Sequence, residues 1–126
     1  MPLHPFRPTL EAQANTWEQH GRPVSELLKG WTLMVASCWS YSPGARNEPP
    51  NELAQAFLAA SRNANPGYDE IYNERDTCRG CGERYRIENL GICTRCSALW
   101  CYRCQPGDGQ HPNGNSACAC GGEVVG

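Results

Sequence analysis

Residues 78–120 read CRGCGERYRIENLGICTRCSALWCYRCQPGDGQHPNGNSACAC, and eight of the chain's nine cysteines stand in this run. They form four close pairs: Cys78/Cys81, Cys93/Cys96, Cys101/Cys104 and Cys118/Cys120. The first three are C-x-x-C and the last is C-x-C. Two thiolates this close along a chain bite one tetrahedral ion, and two such pairs complete a four-sulfur shell. Eight thiolates therefore predict two closed zinc sites. The same segment is poor in core-forming residues. From Cys78 onward the large apolar side chains are Tyr85, Ile87, Leu90, Ile92, Leu99, Trp100, Tyr102, Val124 and Val125. So thin a stretch needs a staple, and bound metal supplies folding free energy of about 10 kcal/mol per site.

Composition divides the 126 residues in two. Residues 1–75 carry three of the four tryptophans, both phenylalanines and the ninth cysteine, Cys38, and predict a short helical N-terminal bundle. Residues 76–126 predict a small, loop-rich, two-zinc domain. The formal net charge is −2, with basic and acidic residues nearly balanced in both parts, so neither offers the basic surface that a phosphate backbone requires. The start, Met1-Pro-Leu-His-Pro-Phe-Arg-Pro, lacks the apolar core of a secretory signal, and no apolar run is long enough to cross a bilayer. A soluble, cytoplasmic, reducing setting is the expectation. There, paired cysteines serve as metal ligands more often than as disulfides.

Ligand spacing alone does not fix which pairs share an ion. In a sequential scheme pairs one and two hold one zinc, and pairs three and four the other. In an interleaved scheme Cys78, Cys81, Cys101 and Cys104 hold one, and Cys93, Cys96, Cys118 and Cys120 the other. Only four residues separate the second pair from the third, which favours interleaving, because so short a spacer can run between two ions. The succession of knuckle, eleven residues, knuckle, four residues, knuckle, thirteen residues and pair resembles the cross-brace of RING and related treble-clef domains. That resemblance covers residues 78–120 and implies a treble-clef or cross-brace scaffold. It departs from RING ubiquitin ligases at three points. Arg79 follows the first cysteine where a ligase usually has an aliphatic residue, Gly121 follows the last where an arginine is usual, and the mid-pattern histidine is replaced by an all-cysteine set. His111 is an alternative ligand in place of Cys118 or Cys120.

In the N-terminal part, residues 1–8, with three prolines, predict an extended arm. Thr9 to His20 predicts a short helix with Leu10, Ala14 and Trp17 on one side and Gly21 as its stop. The apolar residues Val24, Leu27, Leu28, Trp31, Met34, Val35, Cys38 and Trp39 follow a 3.6-residue period and predict a central helix from Val24 to about Trp39. Residues 42–50 read as a proline-rich loop. Asn51 is an N-cap for a helix striped by Leu53, Ala56, Phe57 and Ala60. Tyr68 to Asp76 predicts one or two further helical turns. Glu83 to Ile92 predicts a hairpin, and Leu99, Trp100 and Tyr102 a mini-core between the metal sites. Cys38, on the apolar stripe, is expected to be an inert thiol.

No catalytic constellation is present: there is no Ser-His-Asp set, no tuned carboxylate pair and no open metal position. The expected function is non-catalytic, a zinc-binding protein acting through protein–protein contacts, with Trp100, Tyr102, Arg95 and Arg103 as candidate partner-binding residues. The layout of residues 27–58, with tryptophans on a central helix, a proline-rich turn and an Asn-capped helix, is similar in outline to small helical bacterial immunity proteins. That likeness implies an inhibitor or adaptor. Two other classes compete. One is a nucleic-acid-binding zinc-finger regulator using Arg79, Arg84, Arg86, Arg95 and Arg103. The other is a RING-like ubiquitin ligase or a zinc hydrolase.

Overall fold

The computed structural model describes residues 5–105 and 114–126. Four helices come first: α1 (Phe6–Gln19), α2 (Gly30–Ser40), α3 (Pro43–Asn47) and α4 (Glu52–Ala64). Six short strands follow: β1 (Arg75–Thr77), β2 (Arg84–Arg86), β3 (Leu90–Cys93), β4 (Leu99–Cys101), β5 (Ser116–Ala117) and β6 (Glu123–Val125). Strands β1 and β2 form a two-stranded antiparallel sheet, and the other four form an antiparallel sheet in the order β4-β3-β6-β5.

Helix α1 buries Leu10, Ala14 and Trp17, the stripe expected of it, against α4. It begins three residues before Thr9, because Pro8 falls in its first turn, where the missing N–H has no intrahelical partner to lose. Of the expected extended arm, residues 6–8 are therefore helical, and Met1 to His4 lie outside the described residues. Helix α4 starts at its expected cap, with the Asn51 side chain accepting from the Ala54 N–H at 2.8 Å.

Helix α2 does not start at Val24. Residues Val24–Glu26 make a 3-10 turn, Leu27 and Lys29 are extended, and Gly30 adopts φ +56°, which no helix runs through. A 3-10 turn repeats every three residues, so its spacing imitates a helical period. Val24 is 75% exposed, while Leu27 and Leu28 pack on the helical core from the segment before α2. The proline-rich segment 42–50 is not all loop. Ser42 accepts from the Ala45 N–H at 3.3 Å and Pro43 opens the first turn of α3. The expected hairpin over 83–92 is also divided: β2 pairs back with β1, and β3 enters the larger sheet after a 3-10 turn at Ile87–Asn89.

Helix α2 is central. Leu33, Ala36 and Trp39 join the core of α1 and α4, whereas Met34 and Val35 join a second core with Ile87, Leu90, Ile92 and Leu99. A third, smaller cluster surrounds Cys93, Ala98, Cys118 and Val124. The helices and the larger sheet are further tied by Glu123, which is fully buried. Its carboxylate accepts from the Phe6 N–H (2.6 Å), the Trp39 indole N–H (3.2 Å) and the Asn115 amide (2.7 Å). Phe6 and Trp39 also meet edge to face, 5.3 Å between ring centroids. A buried carboxylate is tolerated when its lone pairs are filled in this way.

Replacing Glu123 by Ala strands these buried donors. Each such orphan costs about 1–3 kcal/mol, so urea unfolding of the zinc-loaded Glu123→Ala protein is expected to show a loss of about 3 kcal/mol or more. A change under about 1 kcal/mol would remove Glu123 as the tie between helices and sheet.

Candidate metal centres

Each cysteine pair sits on a tight turn that the local sequence favours. In the first, the Gly82 N–H donates to the Cys78 carbonyl (3.0 Å) with Gly82 at φ +74°. Ser97 takes the corresponding place after the second pair, at φ +62°, and its N–H donates to the Cys93 carbonyl (3.1 Å). This conformation is uncommon for a residue other than glycine. The Ser97 hydroxyl is held by the Trp31 indole N–H at 3.3 Å, a contact between α2 and the second knuckle. The third pair closes with Gln105 N–H to the Cys101 carbonyl (2.9 Å), and the fourth with Gly121 N–H to the Cys118 carbonyl (2.8 Å).

The fold brings pair one to pair three and pair two to pair four. The sulfurs of Cys78, Cys81, Cys101 and Cys104 all lie within 4.8 Å of one another, and so do those of Cys93, Cys96, Cys118 and Cys120. Interleaving is thus the arrangement found. The sheet register explains it: β3 delivers Cys93 and β4 delivers Cys101, and these antiparallel neighbours place the two knuckles in different clusters. In both clusters two sulfur-bearing residues are buried, one is half-buried and one is exposed.

These clusters fit zinc. Sulfurs at about 2.3 Å from a tetrahedral ion stand about 3.8 Å apart. The separations here are 4.0 Å for Cys81–Cys101, 3.4 Å for Cys93–Cys120 and 3.7 Å for Cys96–Cys118. A disulfide needs about 2.05 Å, and all nine cysteines are free thiols. Soft thiolate sets of four select zinc over hard cations, and a shell of four protein ligands is the closed type.

Backbone N–H groups point at the sulfurs. Cys78 Sγ receives the N–H of Gly80 (3.3 Å) and of Cys101 (3.2 Å), Cys93 Sγ those of Arg95 and Cys96 (both 3.4 Å), and Cys120 Sγ that of Gly122 (3.4 Å). Burial opposes ionisation of Cys78, yet the N–H bonds from Cys101, Cys81 and Gly80 outweigh it and hold the thiol at about 6. Burial likewise opposes ionisation of Cys120, and the Gly122 N–H with the neighbouring sulfurs brings it to about 7. Opposite shifts fall on their neighbours. Burial pushes Cys93 and Cys96 up, and the Cys101 sulfur together with burial lifts Cys104 to about 12. Thiols must lose their protons to bind a metal ion, so binding here would release protons.

Gly80 and Gly122 are confined by the sulfurs. A Cβ on Gly80 would stand 2.8 Å from Cys104 Sγ, and one on Gly122 2.6 Å from Cys93 Sγ. Neither restriction was read in the sequence, where Cys-Gly-Gly after the last pair is the one signal for the second.

The other singled-out residues scatter. Arg95 is engaged at the second cluster, donating to the Cys120 carbonyl at 2.7 Å. Trp100 is half-buried beside Gly80, its indole N–H enclosed without a partner among the described residues. Tyr102 is 75% exposed, with Arg103 over its ring at 5.8 Å. It therefore does not join Leu99 in a mini-core. His111 lies outside the described residues, and each described cluster already has four cysteine sulfurs. Cys38 touches both large cores, and its sulfur meets the Tyr72 hydroxyl at 2.8 Å. Burial raises its pKa more than that bond lowers it, which keeps the thiol protonated and unreactive.

No family model, curated protein or solved structure matches this chain.

Metal analysis of the reduced protein is expected to give two zinc ions per chain, and Gly122→Ala one, because only the second shell is crowded. Two ions retained in Gly122→Ala would contradict the packing around Cys93. Because binding displaces protons, zinc is held at neutral pH and released as pH falls through the thiol range. A chelator-competition titration that showed no weakening between pH 7.5 and 5.5 would contradict thiolate ligation. Cys38→Ser should retain both ions and unfold within about 1 kcal/mol of the parent.

Proposed function

We propose that this chain is a non-catalytic, zinc-stapled protein-interaction module of cross-brace type. The observation that carries this reading is the pair of interleaved four-cysteine clusters. Each offers four thiol ligands, the full tetrahedral set of a structural zinc site, which supports a structural rather than a catalytic role. A metal in such a shell fixes loops and does not activate a reactant. What it fixes here includes the turn of Cys101 to Cys104, which lifts Tyr102 and Arg103 into solvent as a stacked pair. Tyrosine and arginine are side chains that interfaces favour, being large and amphipathic.

A role as an adaptor, or as an inhibitor that occupies its target sterically in the manner of bacterial immunity proteins, is consistent with this plan. It requires only a rigid surface and no chemistry. The cross-brace reading rests on the interleaved pairing. Ubiquitin transfer is disfavoured by Arg79, which is exposed beside the first cysteine where an aliphatic contact residue is usual.

Two measurements test the reading. Zinc-loaded protein immobilised as bait is expected to retain a protein partner, and Tyr102→Ser is expected to weaken that retention about tenfold with both zinc ions still bound. In a low-salt gel-shift experiment, random DNA and RNA are expected to stay unbound at micromolar protein. Salt-sensitive nucleic-acid binding would overturn the proposal in favour of a zinc-finger regulator.

A further inference from the structure

Beyond the metal clusters, the β1–β2 hairpin sorts its charges by face. Its register sets Arg75 opposite Arg86 and Thr77 opposite Arg84, with Asp76 opposite Tyr85 between them. Side chains alternate along a strand, so Arg75, Arg84 and Arg86 share one face. Asp76 and Tyr85 take the other, where the Tyr85 hydroxyl lies 3.9 Å from Cys81 Sγ at the first cluster. All three arginines are exposed. Arg86 pairs with Glu88 at 3.2 Å. Arg75 and Arg84 form no ion pair among the described residues, and the Arg84 guanidinium donates to the Arg75 backbone carbonyl at 3.5 Å.

Like charges directly opposite each other across two strands destabilise a sheet. This hairpin has only two strands of three residues each, held besides by Tyr85 on the second core and by the first cysteine cluster at its turn. Glu88 offsets Arg86, whereas Arg75 and Arg84 carry uncompensated charge that an anionic group would neutralise.

We propose that the Arg75–Arg84–Arg86 face docks an acidic segment of a protein partner, through carboxylates that take the guanidinium groups in bidentate fashion. The inference rests on the reading of the chain as a protein-interaction module and names the chemistry of its partner. Charge complementarity and size favour a short acidic segment over a nucleic acid. Adjacent strands lie about 4.8 Å apart and alternate residues about 6.8 Å apart, so the face spans two or three carboxylates and not an extended phosphate track. The chain as a whole is net negative, which repels a long polyanion beyond that face.

The test uses the full zinc-loaded chain and a fluorescein-labelled peptide carrying four consecutive glutamates, read by fluorescence polarisation beside a labelled single-stranded RNA 12-mer. Peptide binding is expected at low salt, weakened about tenfold or more by Arg84→Glu and unchanged by the distant control Arg46→Glu. A second variant guards against misfolding. Arg75→Thr should weaken the peptide while raising the unfolding midpoint, since it removes the cross-strand repulsion. Absence of peptide binding, equal losses in Arg46→Glu and Arg84→Glu, or an Arg75→Thr protein that is no more stable would overturn the proposal. So would dimerisation abolished by Arg84→Glu, in favour of a second copy of the chain. Retention of a protein partner that ignores Arg84→Glu would refute the arginine face alone, whereas RNA bound more tightly than peptide would refute the interaction-module reading as well.

Discussion

Four sulfurs converging on one point, twice, is the constraint on which the second half of the molecule depends. The strands there are two to four residues long and could not hold one another by ladder hydrogen bonds. Because the clusters interleave, each ties together segments distant in sequence. The first joins the β1–β2 hairpin to the turn after β4, and the second joins the turn after β3 to the β5–β6 hairpin. A sequential pairing would have left two small units in a row. The interleaved one makes β3 and β4 common to both and leaves a single four-stranded sheet between them.

That sheet is also part of the helical half. The strand that carries Val124 and Val125 places Glu123 under Trp39 and Phe6, while the Glu123 carbonyl accepts from the Thr94 N–H inside the second knuckle at 2.8 Å. One residue therefore touches the helices with its side chain and the second cluster's loop with its backbone. The Trp31 to Ser97 hydrogen bond is a second link between α2 and the same knuckle. Metal at the second cluster and order in the helical core are consequently coupled through short, direct contacts. The first cluster reaches the helices chiefly through the apolar contacts of Met34 and Val35.

Thiol pairs able to share an ion were legible in the sequence because chelation is local: two thiols within a turn of each other declare that capacity wherever the chain goes. Which pairs combine was not, since that depends on the register of β3 against β4, and the short spacer only favoured one answer. The stripe of α1 was legible from its period and the start of α4 from its cap, but the buried face of α4 runs through Ala54, Phe57, Leu58 and Ser61, so of the expected Leu53, Ala56, Phe57 and Ala60 only Phe57 is fully buried. The start of α2 was misread because a 3-10 turn at Val24 followed by extended Leu27 and Lys29 leaves Leu27 and Leu28 at helical spacing, and Gly30 marked the true break. Helix α3 was hidden in a proline-rich stretch whose Ser-Pro start is equally a helix N-terminus. Glu123 gave no sign beyond being one acid before two valines, because its partners, Phe6 and Trp39, are far away in the chain. The charge sorting of β1 and β2 required knowing that Arg75 faces Arg86, a pairing that the expected hairpin over 83–92 did not contain.

X-ray absorption at the zinc edge of the purified, reduced protein tests the central claim most directly, because it counts and identifies the atoms around the metal. The account predicts sulfur neighbours only, four per ion at about 2.3 Å. A nitrogen or oxygen neighbour at about 2.0 Å in either site would contradict it.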